Sequence, residues 1–442
     1  MHVSHVFMTA TSAAPGERAA SASASAEWLV AAAVHVLFLL ACVANAIHRD
    51  VTVGFDEPAH TSYVAHIQRT GNLWPALNNM RLLDPQTFRF TDKPNYLNHP
   101  PPFYALLAAI GPKLEGQPQA LLAYRLFDVA LATAGLAVLL ALGLNAGFSR
   151  IEFYAYVVPL ACIPVLVQIA AAVSNDDPAF LGGALATLGV WRLVATGRGG
   201  WLACALIGTV VAGYAKLTGL LLTAAMVSGA LVYLLWRGRL HSTWIIATGF
   251  AFALAAAPYV VYIWQYGSPT PETPAQIAFI TDGARAAGWA DLARKSFPGY
   301  LAYFIFMFIA EWMPVLGSRN AFDFAMLAVP VATLVCALAG VVLSLRRLSR
   351  RRETPLDVVV VAGTAAFAAT FAIHVVFSYG RYLATGWLLD AYPRYYLPLA
   401  AIVPLAGLSL AAAIAAPRWR AAVLSLLIAG PILFRIFGGP LG

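Results

Sequence analysis

Long apolar segments separated by short polar ones run along the whole chain. Because a helix needs about 20 apolar residues to cross the hydrocarbon core of a bilayer, each segment of about that length predicts a membrane span. The candidate spans are 28–47, 122–146, 153–173, 178–196, 201–215, 217–236, 243–264, 322–345, 356–378, 394–415 and 419–437. These apolar runs are continuous rather than alternating, so they predict an all-α, polytopic transmembrane protein with about 11 spans.

The arginines indicate an orientation. With the N-terminus in the cytoplasm, the inner loops contain Arg150, Arg192, Arg198, Arg237, Arg239, the run RRLSRRR at 346–352, Arg418 and Arg420. This orientation satisfies the rule that cytoplasmic loops are enriched in positive residues. A further apolar segment, 297–317, would move the arginine run to the outside if it counted as a span. We therefore predict that 297–317, with Glu311, is re-entrant or interfacial on the outer side.

The same segments predict the domain organisation. Residues 1–27 are small and polar and are expected to form a disordered cytoplasmic N-terminus. Residues 28–437 are expected to form a single transmembrane domain, with two long outer loops, 48–121 and 265–321. The apolar run from Trp28 is too long for the core of a signal peptide, so we interpret it as a retained first span. The first outer loop is expected to carry amphipathic helices.

Composition narrows the classes of function. Of the 442 residues, 60% are hydrophobic and 11% are charged, with a mean hydropathy of +0.73. The net charge of +8 accompanies arginines in short loops that orient the protein, and no soluble domain is large enough to carry a basic patch for nucleic acid. The sequence has no glycine-rich phosphate loop, so no nucleotide cofactor is expected. The four cysteines lie in apolar segments without the spacing of metal ligands.

A cluster of titratable residues follows the first span, in the sequence FDEPAH. Asp56 and His60 are four residues apart, so a helix that begins at Asp56 would place both on one face. Pro58 suits the first turn of such a helix, and Asp56 suits its N-cap. One interpretation is therefore a capped amphipathic helix that rests on the membrane surface. The other makes Asp56 a general base or metal ligand, with Glu57 beside it as the second candidate catalytic carboxylate.

A second cluster lies later in the same predicted loop, in the sequence NHPPPFYALLA. The three prolines predict an extended entry to a helical segment over Phe103–Ile110. His99, just before them, is either a loop histidine with a local hydrogen bond or part of one site with Asp56.

Two short segments place polar residues on the same predicted side. Asn175, Asp176 and Asp177 either cap the helix that follows at Pro178 or receive sugar hydroxyls or a divalent cation. Lys216 interrupts an apolar stretch, so it either reaches to the interface or pairs with an anion, for which a lipid phosphate is a natural candidate.

Two arginines flank the last predicted outer loop, Arg381 in YGRYL and Arg394 in YPRYYLP. An arginine next to tyrosines suits a planar contact with phosphate or packing against a sugar. The same arrangement is typical of an anchor in the aromatic belt at the membrane interface.

The motifs FDEPAH, HPPPFYALLA, SNDD, AKLTGLL and PRYYLPL follow one another over residues 28–415. This ordered series resembles the GT-C superfamily of integral-membrane glycosyltransferases. It is most similar to the bacterial members related to protein O-mannosyltransferases and to the lipid A aminoarabinose transferase. Such enzymes transfer a sugar from a polyprenyl-phosphate donor to an acceptor on the outer face of the inner membrane.

The resemblance implies roles for the first two clusters. Asp56 and Glu57 match the family's acidic positions, with Asp56 as the base that takes the proton of the acceptor hydroxyl. His99 matches the histidine of its H-P-P motif. His60 and His99 would orient the carboxylate or, with Asp56, bind a divalent cation, which is a candidate cofactor.

The resemblance also implies a binding site for the donor. Lys216 and either Arg381 or Arg394 would hold the lipid phosphate, while Asn175 and Asp176 are candidates for contacts with the sugar. The implied reaction is a single displacement at the anomeric carbon. The acceptor is a glycan, a lipid or a protein, and the lipids of the membrane are further partners.

Two alternatives remain. A transporter or lipid flippase would use Asp176 and Lys216 as intramembrane charges, but the sequence shows no convincing inverted repeat and the long first outer loop would be unexplained. A membrane metalloprotease is disfavoured because DEPAH lacks the first histidine of H-E-x-x-H.

Overall fold

The computed structural model describes residues 15–289, 292–312, 324–388 and 390–437. The α-helices are α1 (Pro15–His48), α2 (Glu57–Thr70), α3 (Pro102–Ile110), α4 (Leu121–Asn145), α5 (Arg150–Ala161), α6 (Pro164–Ala170), α7 (Asp176–Thr196), α8 (Gly199–Ala215), α9 (Leu217–Trp236), α10 (Ser242–Tyr266), α11 (Pro274–Ala286), α12 (Phe297–Trp312), α13 (Phe324–Ser349), α14 (Pro355–Thr385), α15 (Ile402–Ala413) and α16 (Pro417–Phe437). Short 3-10 helices cover Leu77–Asn79, Pro118–Ala120 and Pro393–Leu399, and the strands are β1 (Arg81–Leu83) and β2 (Phe90–Pro94). The all-α class is confirmed.

The helices include enough membrane-spanning candidates to confirm the polytopic class. Among the described residues, seven helices are long and apolar enough to cross a membrane, or eight if the bent pair Pro393–Leu399 and Ile402–Ala413 is one span. The predicted number of about 11 spans stays a prediction. The candidate 153–173 is divided into α5 and α6, because Ile163 takes an extended conformation before the proline that begins α6. The candidate 201–215 corresponds to α8, a shorter apolar helix.

Two of the predicted segments extend beyond the described residues. Helix α1 begins at Pro15, inside the N-terminal segment 1–27 that was expected to be disordered, while residues 1–14 are not described. Helix α12 contains a short apolar helix, Phe297–Ile309, but residues 313–317 of the predicted re-entrant segment are not described. Its placement on the outer side therefore stays a prediction.

The predicted first outer loop, 48–121, contains helices, as expected, and supplies most of one hydrophobic cluster. Helices α2 and α3 pack face to face there, with the rings of Tyr63 and Tyr104 stacked at a centroid distance of 4.2 Å. The hairpin of β1 and β2 covers α2, and the backbone N–H of Leu83 donates to Ser62 Oγ at 2.7 Å. Most of α2 is therefore buried, and the helix does not rest on a membrane surface with its charges in water.

Helix α7 is at the centre of the membrane part and packs against α4, α8, α9 and the 3-10 helix Pro393–Leu399. Two adjacent glycines allow these close approaches. A Cβ at Gly182 would lie 2.5 Å from the carbonyl oxygen of Gly208 in α8, and a Cβ at Gly183 would lie 2.1 Å from that of Pro398. Small residues let membrane helices approach closely, and here they fix the 3-10 helix against the N-terminal half of α7.

Candidate active site

A cavity of about 710 Å³ lies between the segment 48–121, α9, α11, α14 and the 3-10 helix. Of the residues proposed from the sequence, Asp56, His99, Lys216, Arg381 and Arg394 line it. Residues more than 300 positions apart in the chain therefore meet at one site. Glu57, His60, Asn175 and Asp176 are not among the lining residues.

The backbone before α2 takes an unusual conformation that directs Asp56 into the cavity. Gly54, Phe55 and Asp56 have φ values of 82°, 59° and 59°. Left-handed conformations are costly for residues other than glycine, although Asp tolerates them better than most. The carbonyl oxygen of Asp56 accepts hydrogen bonds from the amides of Ala59 and His60, while its side chain caps nothing. The interpretation of Asp56 as a side-chain helix cap is therefore wrong.

The carboxylate of Asp56 has two partners and remains accessible. Tyr96 OH donates to Oδ1 at 3.1 Å and Arg394 Nη2 donates to Oδ2 at 3.3 Å. The side chain is nevertheless 42% exposed. A carboxylate that is oriented but still accessible can receive a proton from a bound molecule.

Arg394 lies in the 3-10 helix between aromatic rings. Its guanidinium is about 5 Å from the ring centroids of Phe55 and Tyr392, and 5.6 Å from that of Tyr395. Its Nε atom is buried without a hydrogen-bond partner, since the nearest carboxylate oxygen, Oδ2 of Asp176, is 3.9 Å away. The arginine is thus fixed in place with one N–H group unused.

Lys216 lies at an extended break between α8 and α9 (φ −162°, ψ 155°). It is 3% exposed, its ammonium pairs with Oδ1 of Asp176, and it lies 4.3 Å from the ring centroid of Tyr395. Lys216 therefore does not extend to an interface. Asn175 supports the break from behind, because its Nδ2 donates to the carbonyl oxygen of Ala215 at 3.0 Å.

Glu57 points away from the cavity into the protein. Its carboxylate accepts two hydrogen bonds from Arg125 of α4, at 2.8 and 2.6 Å, and one from the backbone N–H of Val173 at 2.9 Å. Arg125 in turn donates to the carbonyl oxygens of Ala46 and Arg49. Every hydrogen bond of the carboxylate is thus made within the protein, as expected of a structural anchor, and the assignment of Glu57 as a second catalytic group stays a prediction.

The two histidines lie together, but only His99 reaches the cavity. Their rings are stacked 6.2 Å apart, and His60 Nδ1 lies 2.9 Å from Tyr104 OH. Burial lowers the pKa of each to about 3, so both rings are neutral at neutral pH. Among the described residues, no group of three or more His, Cys, Asp and Glu side chains is close enough to hold a metal ion. The structure therefore does not assemble Asp56, His60 and His99 as ligands.

Arg381 belongs to the other end of the cavity. Its Nε donates to Glu272 at 2.6 Å and its Nη1 to Asp390 Oδ1 at 3.4 Å. Sequence reasoning missed Glu272, Gln276, Trp387 and Asp390, all of which line the cavity. Burial raises the pKa of Asp390 to about 6, although the Arg381 guanidinium opposes this effect. An acidic residue inside the segment between Arg381 and Arg394 was the signal that could have indicated Asp390.

One wall of the cavity is apolar. It consists of Leu217 and Leu221 of α9 and Ile373, Val376 and Phe377 of α14. The three α14 side chains are between 42% and 60% exposed, and α9 and α14 are both membrane-spanning candidates. The apolar wall is therefore formed by two helices of the membrane part.

Comparisons with known proteins leave the family of the chain open. No family model matches it, and no curated protein matches it. Two solved structures are similar, both of ArnT from Cupriavidus metallidurans, one bound to undecaprenyl phosphate and one in the apo state. Each is 16% identical to this chain over 87% of its length and 78% of that chain, with TM-scores of 0.37 and 0.36. The interpretation of the cavity therefore rests on its own geometry.

Proposed function

We propose that this multi-pass membrane protein is a glycosyltransferase that uses a polyprenyl-phosphate sugar as its donor, on the outer side of the inner membrane. One observation carries the proposal: an accessible carboxylate, Asp56, lines the same cavity as a buried cation, Lys216, and a half-buried one, Arg394, and one wall of that cavity consists of apolar side chains of two membrane-spanning candidates. A ligand with a phosphate, a sugar and a long apolar chain matches all three features.

The phosphate of the donor would bind between Lys216 and Arg394. The unused N–H of Arg394 and the ammonium of Lys216 would donate to its oxygens, because charge-assisted hydrogen bonds to phosphate are strong in a buried site. The prenyl chain would lie along Leu217 and Leu221 of α9 and Ile373 of α14. Polyprenyl donors in the membrane would enter from the side without leaving the bilayer.

Asp56 would act as the general base. The acceptor hydroxyl oxygen attacks the anomeric carbon, the bond from that carbon to the phosphate oxygen breaks, and the hydroxyl proton moves to the Asp56 carboxylate. The electron pair of the broken bond stays on the phosphate, where Lys216 and Arg394 stabilise the developing charge. A single displacement of this kind inverts the configuration of the sugar. His99, neutral and at the cavity wall, would donate or accept a hydrogen bond.

Asp176 and Asn175 would act by positioning the cations. Asp176 pairs with Lys216 and lies near Arg394, and Asn175 fixes the backbone before Lys216. We assign no step to a divalent cation, because the candidate ligands do not form one group. The acceptor, whether glycan, lipid or protein, would approach from the outer loops.

The test compares the envelope carbohydrate of a deletion strain complemented with wild type, Asp56→Asn or Asp92→Asn, at matched membrane abundance. Asn is isosteric with Asp and tolerates the same left-handed backbone, and Asp92 is an exposed carboxylate in the same loop. We expect wild type and Asp92→Asn to restore the missing sugar. Loss of a general base lowers the rate by about 10²- to 10⁴-fold, so Asp56→Asn should not restore it. Full restoration by Asp56→Asn would refute the assignment and favour lipid transport.

A further inference from the structure

Two buried oxygen atoms in the cavity accept no hydrogen bond. They are Oδ2 of Asp390 and Oε1 of Gln276, on side chains from residues that are 3% and 6% exposed. Leaving a buried acceptor without a partner costs about 1–3 kcal/mol, so such groups are rare in folded proteins and each needs an explanation. Here two of them line one cavity, on segments that are more than 100 residues apart in sequence.

Each of these residues is held in place by its neighbours. Gln276 lies in the first turn of α11, which Thr273 caps by accepting a hydrogen bond from the Gln276 amide. Asp390 is held through its other oxygen, Oδ1, by Arg381, and Glu272 holds Arg381 from the opposite side. The ion pairs and the neighbouring Trp387 side chain, which also interacts with this carboxylate, therefore fix Asp390, whose Oδ2 is buried and has no partner at hydrogen-bond distance.

An aromatic side chain completes this end of the cavity. The ring of Trp387 lines the cavity and packs edge-to-face on Trp289, with centroids 5.4 Å apart. Helix α11 passes close to it at Gly283, where a Cβ would lie 2.9 Å from the Trp387 ring. Packing on both sides thus restricts the orientation of the ring.

We propose that Gln276, Trp387 and Asp390 form a carbohydrate subsite, in which the two free oxygens accept hydrogen bonds from two hydroxyl groups of one sugar ring. This inference rests on the proposed function and assigns the sugar-selecting end of the same cavity. A few fixed polar groups beside an aromatic surface are typical of a selective small-ligand site. Arg381 pairs with both Glu272 and Asp390 and offsets part of their negative charge, so we assign neutral hydroxyl donors to the two oxygens.

The ligand is the sugar of the donor or that of a glycan acceptor, and both present the same chemistry to these oxygens. A buried acceptor that is satisfied only by a substrate hydroxyl discriminates strongly against an analogue without that hydroxyl. Sugar selectivity therefore arises at Gln276 and Asp390, whereas Asp56 carries the proton transfer.

The experiment uses the full-length protein in lipid nanodiscs and measures saturation-transfer NMR with methyl glucoside, methyl mannoside, methyl xyloside and methyl glucosaminide. The variants are Gln276→Leu, which removes the free acceptor, Gln117→Leu as an exposed control, and Asp56→Asn. We expect at least one neutral glycoside to bind, with its Kd raised about three- to tenfold in Gln276→Leu, as for loss of one hydrogen bond. Binding should be unchanged in Gln117→Leu and retained in Asp56→Asn.

The unfolding temperature of Gln276→Leu provides a second readout. Because the replaced oxygen has no partner within the protein, we expect the variant to be as stable as wild type or more stable. Weaker sugar binding without loss of stability distinguishes a binding residue from a structural one. The inference is overturned if no neutral glycoside binds, if only the glucosaminide binds, or if Gln276→Leu binds as well as wild type.

Transfer kinetics identify the source of the sugar and separate the two proposals. A rise in KM for the lipid-linked donor in Gln276→Leu assigns the subsite to the donor sugar, and a rise in KM for the acceptor assigns it to the glycan. Because glycoside binding needs no transfer, it supports the subsite even if transfer does not depend on Asp56. Conversely, transfer that depends on Asp56 without any glycoside binding refutes the subsite alone.

Discussion

Asp56 and Glu57 are consecutive carboxylates in two very different regions. Glu57 is 1% exposed, and its hydrogen bonds all go to Arg125 and to the backbone of the protein. Asp56 is 42% exposed at its side chain and has Tyr96 and Arg394 beside it, in a cavity with an unused N–H group. One region is saturated by the protein itself, and the other leaves hydrogen-bonding capacity for a ligand.

The left-handed backbone at Phe55 and Asp56 explains why the consecutive side chains of Asp56 and Glu57 point in different directions. Such conformations cost about 1–3 kcal/mol each and tend to occur at functional sites. The difference predicts that substitutions near position 56 divide into those that lower stability and those that lower activity.

The largest effect on stability is expected for Glu57→Gln. Removing one partner of a buried ion pair costs about 3–5 kcal/mol, because the other charge stays buried without compensation. Denaturant or thermal unfolding of the purified protein would measure this loss. Asp56→Asn is the matched control, with an expected change within about 1 kcal/mol, since its ion pair is partly exposed. If Glu57→Gln keeps its stability and loses transfer, Glu57 acts in the chemistry and the comparison fails.

A somewhat smaller effect, on activity, is expected for Arg394→Lys. Lysine keeps the charge but lacks the planar fork and the Nε–H group that faces the proposed phosphate. Losing one donor to a developing negative charge typically lowers the rate by about 10²- to 10³-fold. The binding of farnesyl phosphate should weaken in this variant, while the binding of farnesol, which lacks the phosphate, should not change.

A measured rate of Arg394→Lys near that of wild type would show that charge alone is sufficient at this position. The difference between Glu57 and Asp56 would then rest on the Asp56 carboxylate alone, without a specific contribution from the guanidinium of Arg394. Unfolding of the same variant should differ from wild type by less than the Glu57→Gln change, because a positive charge still faces Asp56 and Asp176.

Much of the fold could be predicted from apolar periodicity, since long apolar segments did become helices and Lys216 did separate α8 from α9. Asp56, His99, Lys216 and Arg394 line one cavity, and the sequence analysis had predicted them on the same side of the membrane. The prediction of 153–173 as one span was wrong, because the local effect of Pro164 outweighs hydropathy there.

The role of Glu57 could not be predicted, because its partner lies in a different segment. Arg125 is a lone arginine in an apolar span, and a charge at membrane depth almost always has a partner, so the sequence did contain a signal. The sequence contained no such signal for the unpaired oxygens of Gln276 and Asp390. Which atom of a side chain lacks a partner depends on three-dimensional packing and leaves no pattern in the residues.

The smallest expected effect is a loss of stability in mild acid. Burial lowers the pKa of His60 to about 3, whereas an unfolded chain has a histidine pKa of about 6.5. Between these values the unfolded state binds more protons, so stability is fully present above pH 6.5 and decreases as the pH falls toward 3. For one histidine the loss between pH 6.5 and 5.5 is about 1 kcal/mol.

His60→Asn isolates this contribution, because the Asn amide can occupy the position of the ring nitrogen that faces Tyr104 OH and does not titrate. We expect the stability of the variant to depend less on pH than that of wild type, as measured by unfolding between pH 5.5 and 7.5. The contribution of Asp390 to stability has the opposite pH dependence, because its raised pKa of about 6 makes the folded state bind more protons than the unfolded one. Since both proteins contain Asp390, its contribution cancels in the difference. If stability depends equally on pH in the two proteins, His60 is not held neutral in the folded state. Water would then reach the His60 ring behind Asp56.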